Sequence, residues 1–250
     1  MIAEPGATWQ SAVELGARGE YAEAERLAID LEAVGGRWTS LALSTRASHL
    51  RQVGASSAAL DVRALEFATD DESAADALIG LAADSVAVGD VNAAVARHVE
   101  AGAVAREWRG RTRWHWVGAE IALLAGDQSR AQEHGRRAVL TSAGRSDRHH
   151  AKSLIVACAA SGDLAGMEGV LDLSVDRGWH TLVWPLALVV ADRVHDRPWA
   201  DRAWADRAWE CGARATRVIE AGLPPRLVEM WQDHPGVRRL RGGGSPKGSE

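Results

Sequence analysis

The residues best equipped for chemistry crowd into one stretch, Arg106-Glu107-Trp108-Arg109-Gly110-Arg111-Thr112-Arg113-Trp114-His115-Trp116. Four arginines (Arg106, Arg109, Arg111 and Arg113) stand within eight residues there, interleaved with indoles. Guanidinium pairs with phosphate while indole stacks on bases, which is how single-stranded nucleic acid is held. Guanidinium also grips carboxylates with two parallel hydrogen bonds, which suits an acidic peptide or acidic protein face. A third reading gives the band no ligand, only a solvated linker whose tryptophans fill the core between neighbouring units. The net charge of −5 argues against general nucleic-acid binding, which feeds on a positive field.

That net charge hides an uneven distribution. Residues 1–100 hold 7 Arg against 16 Asp and Glu, a balance of −9. Residues 101–152 hold 9 Arg and one Lys against 5 acids, or +5, and the remainder balances at −1. Such asymmetry speaks of partners and long-range fields rather than of fold. An acidic partner could dock on the basic band, and so could the acidic third of a second copy, which predicts self-association.

Other constellations are thin. His149 and His150 are adjacent rather than four apart, and no His-Glu-x-x-His or Cys-x-x-Cys spacing accompanies them, so no metal site is expected. No Gly-x-Gly-x-x-Gly or phosphate-loop pattern implies a nucleotide cofactor. Nothing marks an activated nucleophile, so the chain is expected not to be an enzyme and to carry no cofactor. Cys158 and Cys211 form neither a disulfide framework nor a zinc knuckle, and no apolar run reaches the length of a membrane span. With no secretory signal visible at the N-terminus, a cytoplasmic protein without membrane contact is expected. Abundant Ala, Arg, Gly and Trp beside two Lys, one Phe and one Tyr reflects GC-rich, bacterial coding.

The elements that must position these residues announce themselves by repetition. Gly19, Gly54, Gly89, Gly126 and Gly162 recur at intervals of 35, 35, 37 and 36 residues. Five residues after each come Ala24, Ala59, Ala94, Ala131 and Met167, and seven before each come Ala12, Ala47, Ala82, Ala119 and Ile155. Helical stretches flank each glycine. The glycine supplies the left-handed turn that ends one helix, and an acidic residue following it (Glu20, Asp90, Asp127, Asp163) is placed to cap the next. Paired alanines let two antiparallel helices approach closely. No strand-like alternation is present.

In these landmarks the chain resembles the tetratricopeptide repeat family, whose unit near 34 residues places a small residue, a turn glycine and an alanine as Ala12/Gly19/Ala24, Ala47/Gly54/Ala59, Ala82/Gly89/Ala94 and Ala119/Gly126/Ala131 do here. Tyr21, Ala101 and Ala138 match further landmarks. The family's first-helix Trp and its closing Pro are absent. The degenerate helical repeats in sensor regions of large bacterial transcription activators look similar.

The resemblance implies an all-α fold, an α-solenoid of about five antiparallel helix pairs over residues 1–178. Capping helices would follow over 179–235, then a disordered tail over 236–250. Thr181 to Asp192 is expected to pack on the fifth unit. The duplicated Asp-Arg-x-Trp segment carrying Trp199, Trp204 and Trp209 is expected to cap the stack.

From the family's groove-lining spacing, the first helices would present Trp9, Val13, Ser44, Ser48, Arg51, Gln52, Ile79, Ala83, Val86, Arg113, Trp116, Glu120, His149 and Lys152. Arg109 and Arg111 are expected at the loop between units. The function so implied is an adaptor or regulatory module binding a protein partner through its groove or the Arg/Trp band. The partner-binding candidates are Arg106, Arg109, Arg111, Arg113, Trp116, Glu120, Arg51, Gln52, His149 and Lys152. Two alternatives stand beside it: a sensor of a small effector and, more weakly, a nucleic-acid-associated protein. A groove filled by a later helix of the same chain would leave no binding role.

Overall fold

The computed structural model describes residues 4–194 and 202–242, and every element in them is an α-helix. Ten helices make five pairs: α1 (Pro5–Arg18) with α2 (Tyr21–Glu32), α3 (Gly36–Gln52) with α4 (Ala58–Phe67), α5 (Asp71–Ala87) with α6 (Val91–Val104), α7 (Trp108–Leu124) with α8 (Gln128–Ser142), and α9 (Asp147–Ser161) with α10 (Met167–Asp176). Four follow: α11 (His180–Val194), α12 (Arg202–Ala221), α13 (Pro225–Asp233) and α14 (Pro235–Arg241). Among the described residues no helix is long and apolar enough to cross a membrane.

The glycine spacing finds its cause in the turns. Gly19, Gly54, Gly89, Gly126 and Gly162 all hold φ between 75° and 86°, a conformation that a Cβ disfavours. Asp90 and Asp127 then cap α6 and α8 by accepting from Ala93 N and Arg130 N, both at 2.9 Å. Glu20 makes no side-chain cap, and Asp163 bonds Ala165 N within a longer turn. Ala12, Ala24, Ala47, Ala82, Ala94, Ala119 and Ala131 are fully buried, as close approach requires.

The second unit departs from the expected register. Its turn is two residues longer, so α4 starts at Ala58, Ala59 is exposed, and Asp61 takes the slot that Ala24 fills in α2. Asp61 fits because Gly80 faces it; a Cβ on Gly80 would sit 2.2 Å from the Asp61 carboxylate.

The odd-numbered helices contact one another in a closed circuit. α1 packs on α3, α3 on α5, α5 on α7, α7 on α9, α9 on α11, and α11 returns to α1. Thr181 and its neighbours therefore pack on the fifth unit, as expected, and also on the first, where Thr181 Oγ1 donates to Ala17 O at 3.0 Å. The last helices reinforce this return. Ile219, Leu223, Trp231 and Val237 share a core with Tyr21 and Val53, and Ala22 N donates to Gly222 O at 2.8 Å.

One boundary shifts. Residues 236–241, expected in a tail, belong to α14, because Val237 and Leu240 are buried in that packing. Residues 243–250 lie outside the described residues, as does Trp199. Trp204 packs against the fifth unit's core and Trp209 is buried beside Leu240.

Candidate functional site

The circuit surrounds a cavity of about 380 Å3, and each of the six odd-numbered helices α1 to α11 contributes to its wall. That volume lies at the lower end of the range for small-ligand pockets. Ile79, Ala83 and Val86 on α5 and Val117 on α7 give the wall an apolar stretch, and Leu182 adds an apolar residue from α11. The charged lining residues are Arg51, Arg109, Arg113, Arg148 and Lys152 with Asp76 and Glu120, and neutral side chains such as Ser44, Ser48 and Gln52 stand among them. The cations arise from first helices that place one residue per turn inward, so Arg109 and Arg113 on α7, and Arg148 and Lys152 on α9, point the same way.

Three of these cations are held by carboxylates. Arg51 donates to Ser57 Oγ and Asp61 Oδ2 at 3.0 Å and to Asp84 Oδ1 at 2.6 Å. Burial pushes the Asp61 carboxyl up to about 7, further than Arg51 pulls it down. Asp76 is 2% exposed and takes two bonds from Arg109, at 2.9 and 3.0 Å, plus one from Arg113. Burial alone would raise the Asp76 carboxyl, but the two guanidiniums outweigh it and hold its pKa below the ordinary value. Trp9 lies under Arg109, whose guanidinium carbon is 4.8 Å from the ring centroid.

The α7–α9 side differs. Among the described residues Arg148, Lys152 and Glu120 make no hydrogen bond or ion pair with the protein. Lys152 Nζ stands 4.4 Å from the Trp116 ring centroid. Burial, helped by Arg113 and Arg148 and opposed by Glu120, brings its ammonium down to about 8. Burial raises the Glu120 carboxyl against the pull of Lys152 and Arg51, and lowers Arg148. His149 stacks on Trp116 with ring centroids 5.4 Å apart, and its burial holds the imidazole near 3, so it is neutral at physiological pH. His49 is neutral for the same first reason, burial, and its pKa is also about 3. Deep as these groups lie, water reaches them through the cavity; the Arg113 side chain keeps 15% of its surface exposed.

All the first-helix positions expected to face a groove line this cavity except Trp9, which supports Arg109 from below and donates to Thr45 Oγ1 at 3.1 Å. The Arg/Trp band needs correction. Arg109 and Arg111 are not in a loop, because α7 begins at Trp108. Arg109 and Arg113 turn inward to Asp76, Arg106 pairs with Asp71 at 3.3 Å on the surface, and Arg111 lies over the Trp114 ring. The acidic N-terminal third does meet the band, but within one chain. Trp114 stacks on His98 of α6 and donates to its carbonyl oxygen at 2.8 Å, so that indole fills the seam between units. Asp76, Asp61, His49 and Arg148 were missed. The signals were present: Arg148 stands one turn before Lys152, and Gly16 and Gly80 are small where His49 and Asp61 need room.

Comparison with protein-family models, curated proteins and solved structures found no match for this chain. The fold and cavity by themselves define a class: an all-helical protein of consecutive helix pairs whose odd-numbered helices surround a cation-rich cavity.

Proposed function

We propose that this chain is a receptor for a small effector, a cytoplasmic regulatory module built as a solenoid of tetratricopeptide-like pairs, with α11 to α14 closing and capping its end. Its work in this reading is binding, not catalysis. One observation carries it: all six odd-numbered helices line one cavity, and that cavity has the dimensions of a small molecule. An extended peptide in an open groove suits this geometry less well, because α11 contacts both α9 and α1 and so closes the circuit of first helices. Ligand contacts on six helices would couple occupancy to the packing of every unit, which is what a sensor needs.

A protein partner remains the second reading and moves to the outer faces. Val95 and Val99 on α6 and Leu140 on α8 are exposed, and effector binding could alter how those faces are presented.

The test fills the cavity. Full-length protein purified under native conditions is denatured, and the released small molecules are measured by mass spectrometry beside those from Ala83→Trp. A compound released from the wild type and absent from a folded Ala83→Trp supports the reading. If the wild type releases nothing, and no small metabolite raises its melting temperature more than the variant's, the receptor reading falls.

A further inference from the structure

The chemistry of the cavity wall narrows the ligand. Arg51 is already engaged by Asp61 and Asp84 from behind, at 3.0 and 2.6 Å. Counted with those two carboxylates, five cations (Arg51, Arg109, Arg113, Arg148, Lys152) stand against four acids (Asp61, Asp76, Asp84, Glu120), a surplus of one positive charge, or two where Asp61 is protonated. Unrelieved like charge in a buried site is costly, and a bound anion relieves it. The surplus is also localised. Arg109 and Arg113 share Asp76, whereas the side chains of Arg148 and Lys152, four residues apart on one face of α9, make no hydrogen bond or ion pair among the described residues; Lys152 only lies over the Trp116 ring. The outer nitrogens of the Arg148 guanidinium and the Lys152 ammonium, none of them hydrogen-bonded to the protein, form a clamp for carboxylate or phosphate oxygens.

Glu120 supplies the second half of the specification. Its carboxyl faces the same space from α7 and also lacks a protein partner. It asks for a hydrogen-bond donor. A ligand ammonium would add a further cation to a wall already in positive surplus, so a neutral donor such as hydroxyl fits better. The apolar stretch formed by Ile79, Val86 and Val117 suits a short carbon skeleton.

Resting on the receptor reading above, we infer that the ligand is a small hydroxylated organic dianion, a dicarboxylate or a phosphate monoester, with its anionic groups on Arg148 and Lys152 and its hydroxyl on Glu120.

The experiment is titration calorimetry on the full chain with two matched series. Malate, succinate, aspartate and neutral dimethyl malate form the first; glycerol phosphate, propyl phosphate and neutral glycerol form the second. The expected result is that malate or glycerol phosphate binds at least ten-fold more tightly than its unhydroxylated counterpart, that aspartate is weaker than malate, and that the neutral compounds do not bind. The arm that binds tells dicarboxylate from phosphate monoester. Arg148→Gln and Lys152→Met should each weaken binding at least ten-fold, yet leave the unliganded melting temperature unchanged or higher, because neither side chain makes a hydrogen bond or ion pair with the protein and Met keeps the packing of Lys152 on Trp116. Glu120→Leu should abolish the hydroxyl preference while keeping or raising affinity for succinate or propyl phosphate.

Binding of neither series, equal binding of the neutral analogues, or undiminished binding by both α9 variants overturns the inference. A wild-type protein that releases a neutral compound on denaturation keeps the receptor reading and sinks only this ligand class. A protein that neither releases nor binds any small molecule sinks both.

Discussion

Arg109, Arg111 and Arg113 read as one basic run in the sequence, yet the helix separates them. Residues two apart on a helix point to different sides, so Arg109 and Arg113 reach Asp76 while Arg111 stays over Trp114. Their chemistry was legible; their being spent on a carboxylate in α5 was not, because Asp76 lies 33 residues before Arg109. The imidazoles are more revealing still. Burial depresses His49, His115 and His149 to about 3 and His134 to about 4. A group whose folded pKa is depressed adds stability that is complete above its unfolded pKa, near 6.5, and is lost as pH falls. Each imidazole that stays neutral only when folded costs up to about 1.4 kcal/mol per pH unit in that window. His115 and His134 are partly open to water and contribute less. Asp61, with its pKa raised to about 7, and Glu120, whose carboxyl burial also raises, work in the opposite direction but are two groups against four imidazoles. The melting temperature should therefore change little between pH 7 and 8, below the range where Lys152 loses its proton, and drop continuously toward pH 4.5 in a thermal scan series. A curve flat down to pH 5 would mean that the imidazoles take up protons freely in the folded state.

Helices were the most legible level, because turn glycines and close-approach alanines leave their marks at fixed intervals. The reading faltered where a turn changed length. Two extra residues after Gly54 displaced Ala59 outward and brought Asp61 into the packed slot, and counting from the glycine cannot reveal that. Only the helix start, set by where Ser57 and Ala58 begin to pack, decides the register. The third unit keeps the regular spacing and gives a clean test. Ala94 is fully buried between α5 and α6, whereas Ala93, one step round the helix, is only partly covered. Ala94→Leu should overpack the contact and cost about 1–3 kcal/mol in denaturant unfolding. Ala93→Leu should cost clearly less. Equal losses would show that the α5–α6 contact tolerates bulk and that small size there is incidental.

At the scale of the whole molecule, the return of α11 to α1 joins residues more than 160 positions apart, as the 3.0 Å bond from Thr181 to Ala17 shows. No local spacing encodes such a contact, so the repeats imply a stack but leave open whether later helices return to it, and a closed circuit of first helices is found. The seam that holds the return is unusually tight. Gly222, at the end of α12, passes so close to the turn between α1 and α2 that a Cβ there would lie 2.1 Å from Gly19 O and 3.0 Å from Glu20 Cα. On the other side, Ile219 presses on Gly19, where a Cβ would meet its Cγ1 at 2.7 Å. Backbone faces backbone at Gly222, so neither partner can step aside as a flexible side chain would. Gly222→Ala should cost about 1–3 kcal/mol by forcing the seam apart. Gly169→Ala, in α10 with open space around it, should be neutral or slightly stabilising, since alanine favours helix by about 0.5–1 kcal/mol over glycine. If the circuit closes the cavity, the damage must also have a location. Amide hydrogen exchange in Gly222→Ala should speed up in α1, α2 and α12 to α14 and remain as in the wild type in α5 to α8, where the pairs hold one another without help from the seam. Uniform acceleration along all the helices would show that the seam supports global stability only, and unchanged exchange at α1 and α2 would show that the first unit does not depend on the return at all.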